Sequence, residues 1–169
     1  LEIWEQGARV IDLGGESTRP GSDFVSAGEE SERLLPVLRD LVKQRRALQG
    51  DAAPGAATDG EAWRKPGPEH APFPFISIDP WRASTSRWAL EEGADIINDI
   101  SGGTFDPAVD EVWAAFKPGY ILGHSPEPPR TMQQAPRYGD VVEELYAYFA
   151  LRLEHFSRIG LPPECVVLD

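Results

Sequence analysis

Five polar residues share one kind of position in this sequence. Asp12, Asp79, Asn98, His124 and Asp169 each stand at or near the end of a short, apolar, β-branched run. Carboxylates and an amide gathered at neighbouring strand ends accept hydrogen bonds from a ligand that carries N–H donors. Buried there with no ligand, an unpaired carboxylate is unfavourable by several kcal/mol. Singly, any of the five could cap a loop or a following helix; jointly they outline a binding rim.

The stretch IDLGGESTRPGS, residues 11–22, adds other chemistry. Gly14 and Gly15 let the backbone turn tightly against a ligand. Ser17 and Thr18 offer hydroxyls, and Arg19 is a forked, permanently charged donor for carboxylate or phosphate. Pro20 and Gly21 close the turn. A second loop, HSPEPPRTMQQAPR at 124–137, carries Arg130 and Arg137 and reads equally well as a lid or a long connector. His124 could serve as a general base or as a hydrogen-bonded structural residue. His70, His124 and His155 are too dispersed for a metal spacing. Glu29, Glu30 and Glu32 read as a solvated first helical turn that complements the helix dipole.

The elements that must position these residues alternate along the chain. Residues 8–14, 74–79, 94–100, 119–124 and 165–169 read as strands. Between them lie helical patterns. One spans 29–48, with Leu34, Leu35, Leu38, Leu41 and Val42 at helical spacing, and a shorter one spans 82–92. A third spans 106–117, with Asp106 as N-cap and Pro107 in the first turn. The last places Tyr138, Val141, Val142, Leu145, Phe149, Leu153 and Phe156 on one face expected to be buried. EQGAR, EEGAD and RIGLP put glycine between helix and strand, where a left-handed cap is wanted. Such alternation predicts an α/β fold with a parallel sheet covered by helices, either doubly wound or a (β/α)8 barrel. No GxGxxG opens a helix after a strand, which disfavours the dinucleotide-binding version. Residues 49–72, rich in Pro, Gly and Ala, read as a surface insertion joining a helix to the next strand.

The 169 residues, 41% of them hydrophobic, suit a single domain with a real core. A net charge of −12 argues against nucleic-acid or anionic-membrane partners. The single cysteine, Cys165, excludes an intrachain disulfide and reads as a buried core thiol. No apolar run is long enough to cross a membrane and no signal peptide is visible, so a cytoplasmic location is expected. The chain starts without methionine in a helical pattern and stops within a strand, and so reads as a piece of a longer protein.

The combination resembles dihydropteroate synthase, a pterin-binding enzyme of folate biosynthesis. IDLGGESTRPGS resembles that family's loop after the second barrel strand, ISID its third-strand signature and GADIINDISGG its fourth. YILGHS with PRTMQ is similar to the fifth strand and its loop, and VVLD to the start of the sixth. The resemblance implies a partial TIM (β/α)8 barrel, strands two to six of eight, with 1–169 an incomplete domain whose two open edges are expected to leave it poorly soluble or inactive by itself. It implies a transferase that condenses 6-hydroxymethyl-7,8-dihydropterin diphosphate with 4-aminobenzoate and releases pyrophosphate. Asp79, Asn98 and Asp169 would hold the pterin; Ser17, Thr18, Arg19, Pro20 and Gly21 would order over the aminobenzoate. Asp12, His124 and Arg130 are secondary candidates. The implied Mg2+ has its usual asparagine ligand outside this chain, so no metal ligand is assigned here. The family is commonly homodimeric.

Departures from the family pattern matter too. Pro80 and Trp81 follow Asp79 where threonine is usual, and Gly123 and Ser125 replace methionines flanking the histidine. These changes and the insertion allow a non-catalytic pterin-binding paralogue; the shared barrel and acidic strand ends also allow a methyltetrahydrofolate:corrinoid methyltransferase, against which the Ser17–Gly21 loop argues.

Overall fold

The computed structural model describes residues 7–17, 23–49, 74–127 and 139–169. Five strands form one sheet: β1 (Val10–Leu13), β2 (Phe75–Ile78), β3 (Ile96–Asp99), β4 (Gly119–Leu122) and β5 (Val166–Leu168). Their spatial order follows the chain order, and every neighbouring pair is parallel. Four helices alternate with them: α1 (Ala27–Gln49), α2 (Ala83–Glu92), α3 (Val109–Phe116) and α4 (Val141–Ile159). A short 3-10 turn, Pro163–Cys165, leads into β5. Consecutive parallel strands each followed by a helix build a (β/α)8-type barrel wall, here five strands of it.

Paired residues of parallel strands point to the same face, so the register sorts the side chains into two sets. Ile76, Ile78, Ile97, Tyr120 and Leu122 share one face and are wholly buried. They pack against Leu34, Leu38 and Val42 of α1, Ala89 of α2, Val112 and Trp113 of α3 and Phe156 of α4. Trp113, Tyr120 and Phe156 stack mutually, with centroids 4.5–5.3 Å apart. The opposite face carries Val10, Asp12, Phe75, Ser77, Ile96, Asn98, Ile121 and Val167. Val10 and Val167 are exposed on that face.

Gly93 closes α2 at φ 111° and Gly160 closes α4 at φ 89°, a left-handed conformation costly for other residues. Cys165 is buried, as expected.

Three expectations are corrected. Helix α3 begins at Val109 with Ala108 as its N-cap, not at Asp106. Asp106 instead receives the Ala108 amide on one oxygen and, on the other, the Ala83 amide of α2 at 2.8 Å. It ties the loop after β3 to the start of the neighbouring helix, a long-range cap that no local pattern reports. The buried face foreseen for the last helix is only partly so. Phe156 is buried and Leu145, Phe149 and Leu153 half-buried, whereas Val142 is 70% exposed. Tyr138 lies outside the described residues. Finally, Glu30 is not solvated: it is wholly buried and bonded across the fold. Of the 49–72 segment, Gln49 ends α1 and residues 50–72 lie outside the described part.

Candidate substrate-binding site

Strand alternation decides which polar residues meet. Asp12 is paired with Ser77 on one face of the sheet. Asp79 follows Ser77 by two residues and continues the ladder, its N–H donating to the Leu13 carbonyl at 2.9 Å. Asn98 pairs with Ile121, which pairs with Val167, two residues before Asp169. The Asp169 N–H donates to the Leu122 carbonyl at 3.0 Å, so the β5 ladder extends to it. Alternation therefore sets Asp12, Asp79, Asn98 and Asp169 on the same face, at the C-terminal ends of four strands.

Three of these touch or sense each other. Asn98 Nδ2 donates to Asp12 Oδ2 at 3.1 Å. That bond uses the amide's donor side on Asp12 and leaves the Asn98 carbonyl oxygen as an acceptor. A Cβ added at Gly14 would lie 3.7 Å from Asp79 Oδ2, so the carboxylate rests against that glycine. Burial, then the charge of Asp12, with smaller contributions from Asp99 and Glu30, pushes the Asp79 carboxyl up to about 7. The rim is thus a set of acceptors with surplus negative charge, suited to a flat ligand edge rich in N–H or to developing positive charge.

His124 belongs to the other side. It has the parity of Leu122, and its ring meets that of Tyr148 on α4 edge-on at 4.6 Å. Ser125 is buried, with its hydroxyl donating to the Glu127 carbonyl at 2.6 Å. A Cβ at Gly123 would come within 2.7 Å of the Ile100 Cα, so backbone crowding excludes a larger side chain there. Thr18, Arg19, Pro20, Gly21 and Arg130 lie outside the described residues, and Ser17 is exposed at their edge.

The base of the first loop is built more firmly than its sequence suggests. A Cβ at Gly15 would fall 2.9 Å from Glu30 Cγ and 3.1 Å from Leu34. The glycine thus lets α1 close against the loop. Glu30 Oε2 accepts from Arg82 at 3.0 Å and from Thr85 Oγ1 at 2.6 Å. Arg82, 7% exposed, also pairs with Glu16 at 2.9 Å. The sequence did carry a sign of this: Glu30 and Arg45 lie on the helical face of Leu34, Leu38 and Val42, and Arg45 pairs with Asp95.

Asp99, next to Asn98 but on the helix side, is a second acceptor that sequence reading passed over. It receives the Ser101 and Gly103 amides, the Ser101 hydroxyl and the Tyr120 hydroxyl, at 2.7–2.9 Å. These bonds mould the turn at 100–103 immediately beyond Asn98. Burial holds the Asp99 carboxyl above the usual range despite them.

Residues 1–49 and 70–169 match the pterin binding enzyme family. The chain belongs to that family. The match to pterin-binding enzymes breaks between residues 49 and 70, where the sequence reading places an insertion. Curated relatives include the dihydropteroate synthases of Synechocystis, 38% identical over 163 residues, and Escherichia coli, 34% identical over 163. Each alignment covers 96% of this chain but only 47% and 48% of the relative, so the chain spans about half the length of the curated relatives it matches. Among solved pterin-binding enzymes, the Yersinia pestis dihydropteroate synthase in a sulfonamide complex superposes with a TM-score of 0.76 at 27% identity, covering 99% of this chain and 51% of that one. The Burkholderia cenocepacia synthase complexed with 7,8-dihydropteroate gives 0.75 at 29%, covering 99% and 50%.

Among the described residues no three His, Cys, Asp or Glu side chains come together as a metal site. No described helix is long and apolar enough to cross a membrane.

Proposed function

We propose that this chain is strands two to six of a dihydropteroate synthase, joining a 6-hydroxymethyl-7,8-dihydropterin diphosphate to 4-aminobenzoate. The observation that carries the reading is the acidic rim: Asp12 oriented against Asn98, with Asp79 beside them and Asp169 on the same face. A pterin edge presents an exocyclic amino group and a ring N–H. The Asn98 carbonyl and the Asp79 and Asp169 carboxylates are the complementary acceptors. A ring without those donors would leave the acceptors it covers unpaired and bind far more weakly.

The reaction is a displacement at the pterin methylene. Its C–O bond breaks with the electron pair leaving on pyrophosphate, and positive charge builds on the CH2 carbon. The neutral amine nitrogen of aminobenzoate then forms the new C–N bond and gives up a proton. Asp12 and Asp79 balance the cationic carbon electrostatically, an effect strengthened by the low dielectric around Asp79. Ser17 and the residues through Gly21 would enclose the aminobenzoate.

The dihydropteroate synthase names of the curated relatives favour this reading over a corrinoid methyltransferase. The test is aminobenzoate-dependent pyrophosphate release by the full-length protein that carries this chain. A folded protein that binds the pterin diphosphate yet releases no pyrophosphate would refute the proposal.

A further inference from the structure

Glu16 and Val25 mark where the chain leaves β1 and where it enters α1, and the structure joins them. Glu16 Oε1 accepts the Val25 N–H at 3.2 Å, and Arg82 donates to the Val25 carbonyl at 2.7 Å. The other Glu16 oxygen receives Trp81 Nε1 at 3.0 Å and Arg82 at 2.9 Å. The Arg82 guanidinium lies 4.1 Å from the Trp81 ring centroid and 5.3 Å from that of Phe24. Trp81 also meets Phe105, from the loop after β3, edge-on at 6.1 Å. One carboxylate, one guanidinium and one indole thus bind together the loops after β1 and β2, and the indole reaches the loop after β3.

Two features separate this arrangement from ordinary core bracing. Arg82, Glu30 and Thr85 already lock α1 to α2 below it, so the Trp81–Glu16 bond adds restraint at the rim and not in the core. Trp81 is also only two residues from Asp79, with Pro80 fixing φ between them. Asp79 itself is fixed by its ladder bond to the Leu13 carbonyl, so loss of the Trp81 bond would free Glu16 while leaving the acceptor at the pterin position in place.

We propose that Trp81 and Arg82 are positioning residues for the second substrate: they hold Glu16 and Val25, the two points that bound residues 17–24, in register with Asp79. This rests on the synthase reading above. It also accounts for the unusual Trp81, which supplies a donor and an aromatic face to the ion pair.

The experiment uses the full-length protein and the variants W81F, which keeps the ring over Arg82 but removes the N–H, and R82K, which keeps the charge but removes the fork. W81F should raise the KM for 4-aminobenzoate about tenfold, as expected for losing a hydrogen bond to a charged group. The KM for the pterin diphosphate should stay unchanged. R82K should show the same selectivity together with a lower melting temperature. Amide hydrogen exchange should quicken across residues 17–25 and stay unaltered across 94–103. Equal changes in both KM values, or unaltered exchange at 17–25, would overturn the proposal. If the unsubstituted protein binds pterin diphosphate but makes no product, the synthase reading falls. Quickened exchange at 17–25 in W81F then upholds the anchoring of Glu16 and Val25 alone, and unaltered exchange overturns that as well.

Discussion

Replacing Asp79 with Asn should make the folded protein more stable at alkaline pH while weakening its hold on a pterin. The carboxyl sits at about 7 instead of 3.8, first because it is buried and next because Asp12 is near. An aspartate with a raised value keeps its proton in the folded state over a range where the unfolded chain has already lost it. Stability therefore falls as pH rises from about 4 to about 7, and the whole cost is present above that. At about 1.4 kcal/mol per pH unit, the rise corresponds to a cost of about 4 kcal/mol. Asp79→Asn removes the charge, nearly preserves the shape and can donate toward Asp12. The variant should then be more stable by up to about 4 kcal/mol at pH values near 8.5, with the gap closing toward pH 4. Denaturant unfolding of the full-length protein and the variant at both pH values measures this. The same substitution exchanges an acceptor for a donor at the pterin edge, so pterin affinity should drop. For the unsubstituted protein, affinity should rise as pH passes through about 7 and the carboxylate forms. A parent at least as stable as the variant at alkaline pH, or a gap independent of pH, would refute the electrostatic reasoning.

Three more expected outcomes follow from packing and hydrogen bonding. Gly15→Ala places a methyl 2.9 Å from Glu30 Cγ and should lower stability by about 1–3 kcal/mol in a thermal melt. Tyr120→Phe removes one of the donors to Asp99 and should cost about 1–3 kcal/mol, with faster amide exchange at Ser101 and Gly103. Arg45→Met strips Asp95 of its buried ion-pair partner and should destabilise by about 3–5 kcal/mol, read from the denaturation midpoint. A double variant Arg45→Met with Asp95→Asn should recover part of that loss.

The sequence by itself determined the order and type of the elements and the set of polar strand ends. Those signals are local. Short β-branched runs in ARVIDLG and GADIIN, a period near 3.6 in residues 29–48 and glycines at helix ends each act within a few residues. Alternation alone then carries Asp12, Asn98 and Asp169 to one face once the strands are parallel. It also separates Asn98 from Asp99, though only the packed helices reveal that Asp99 is a buried clamp. What the tertiary structure decided was which charges are paired. Glu30 looks like a solvent-facing acid at a helix start, yet it meets Arg82, 52 residues away, with no exposure at all. Asp106 looks like the cap of its own helix and instead caps the one before it. Such partnerships depend on where the fold lowers the dielectric and which donors it brings within about 3 Å. Neither quantity is encoded in the spacing of residues along the chain. The same reason explains Trp81: in sequence a departure after Asp79, it becomes in space the donor that completes Glu16.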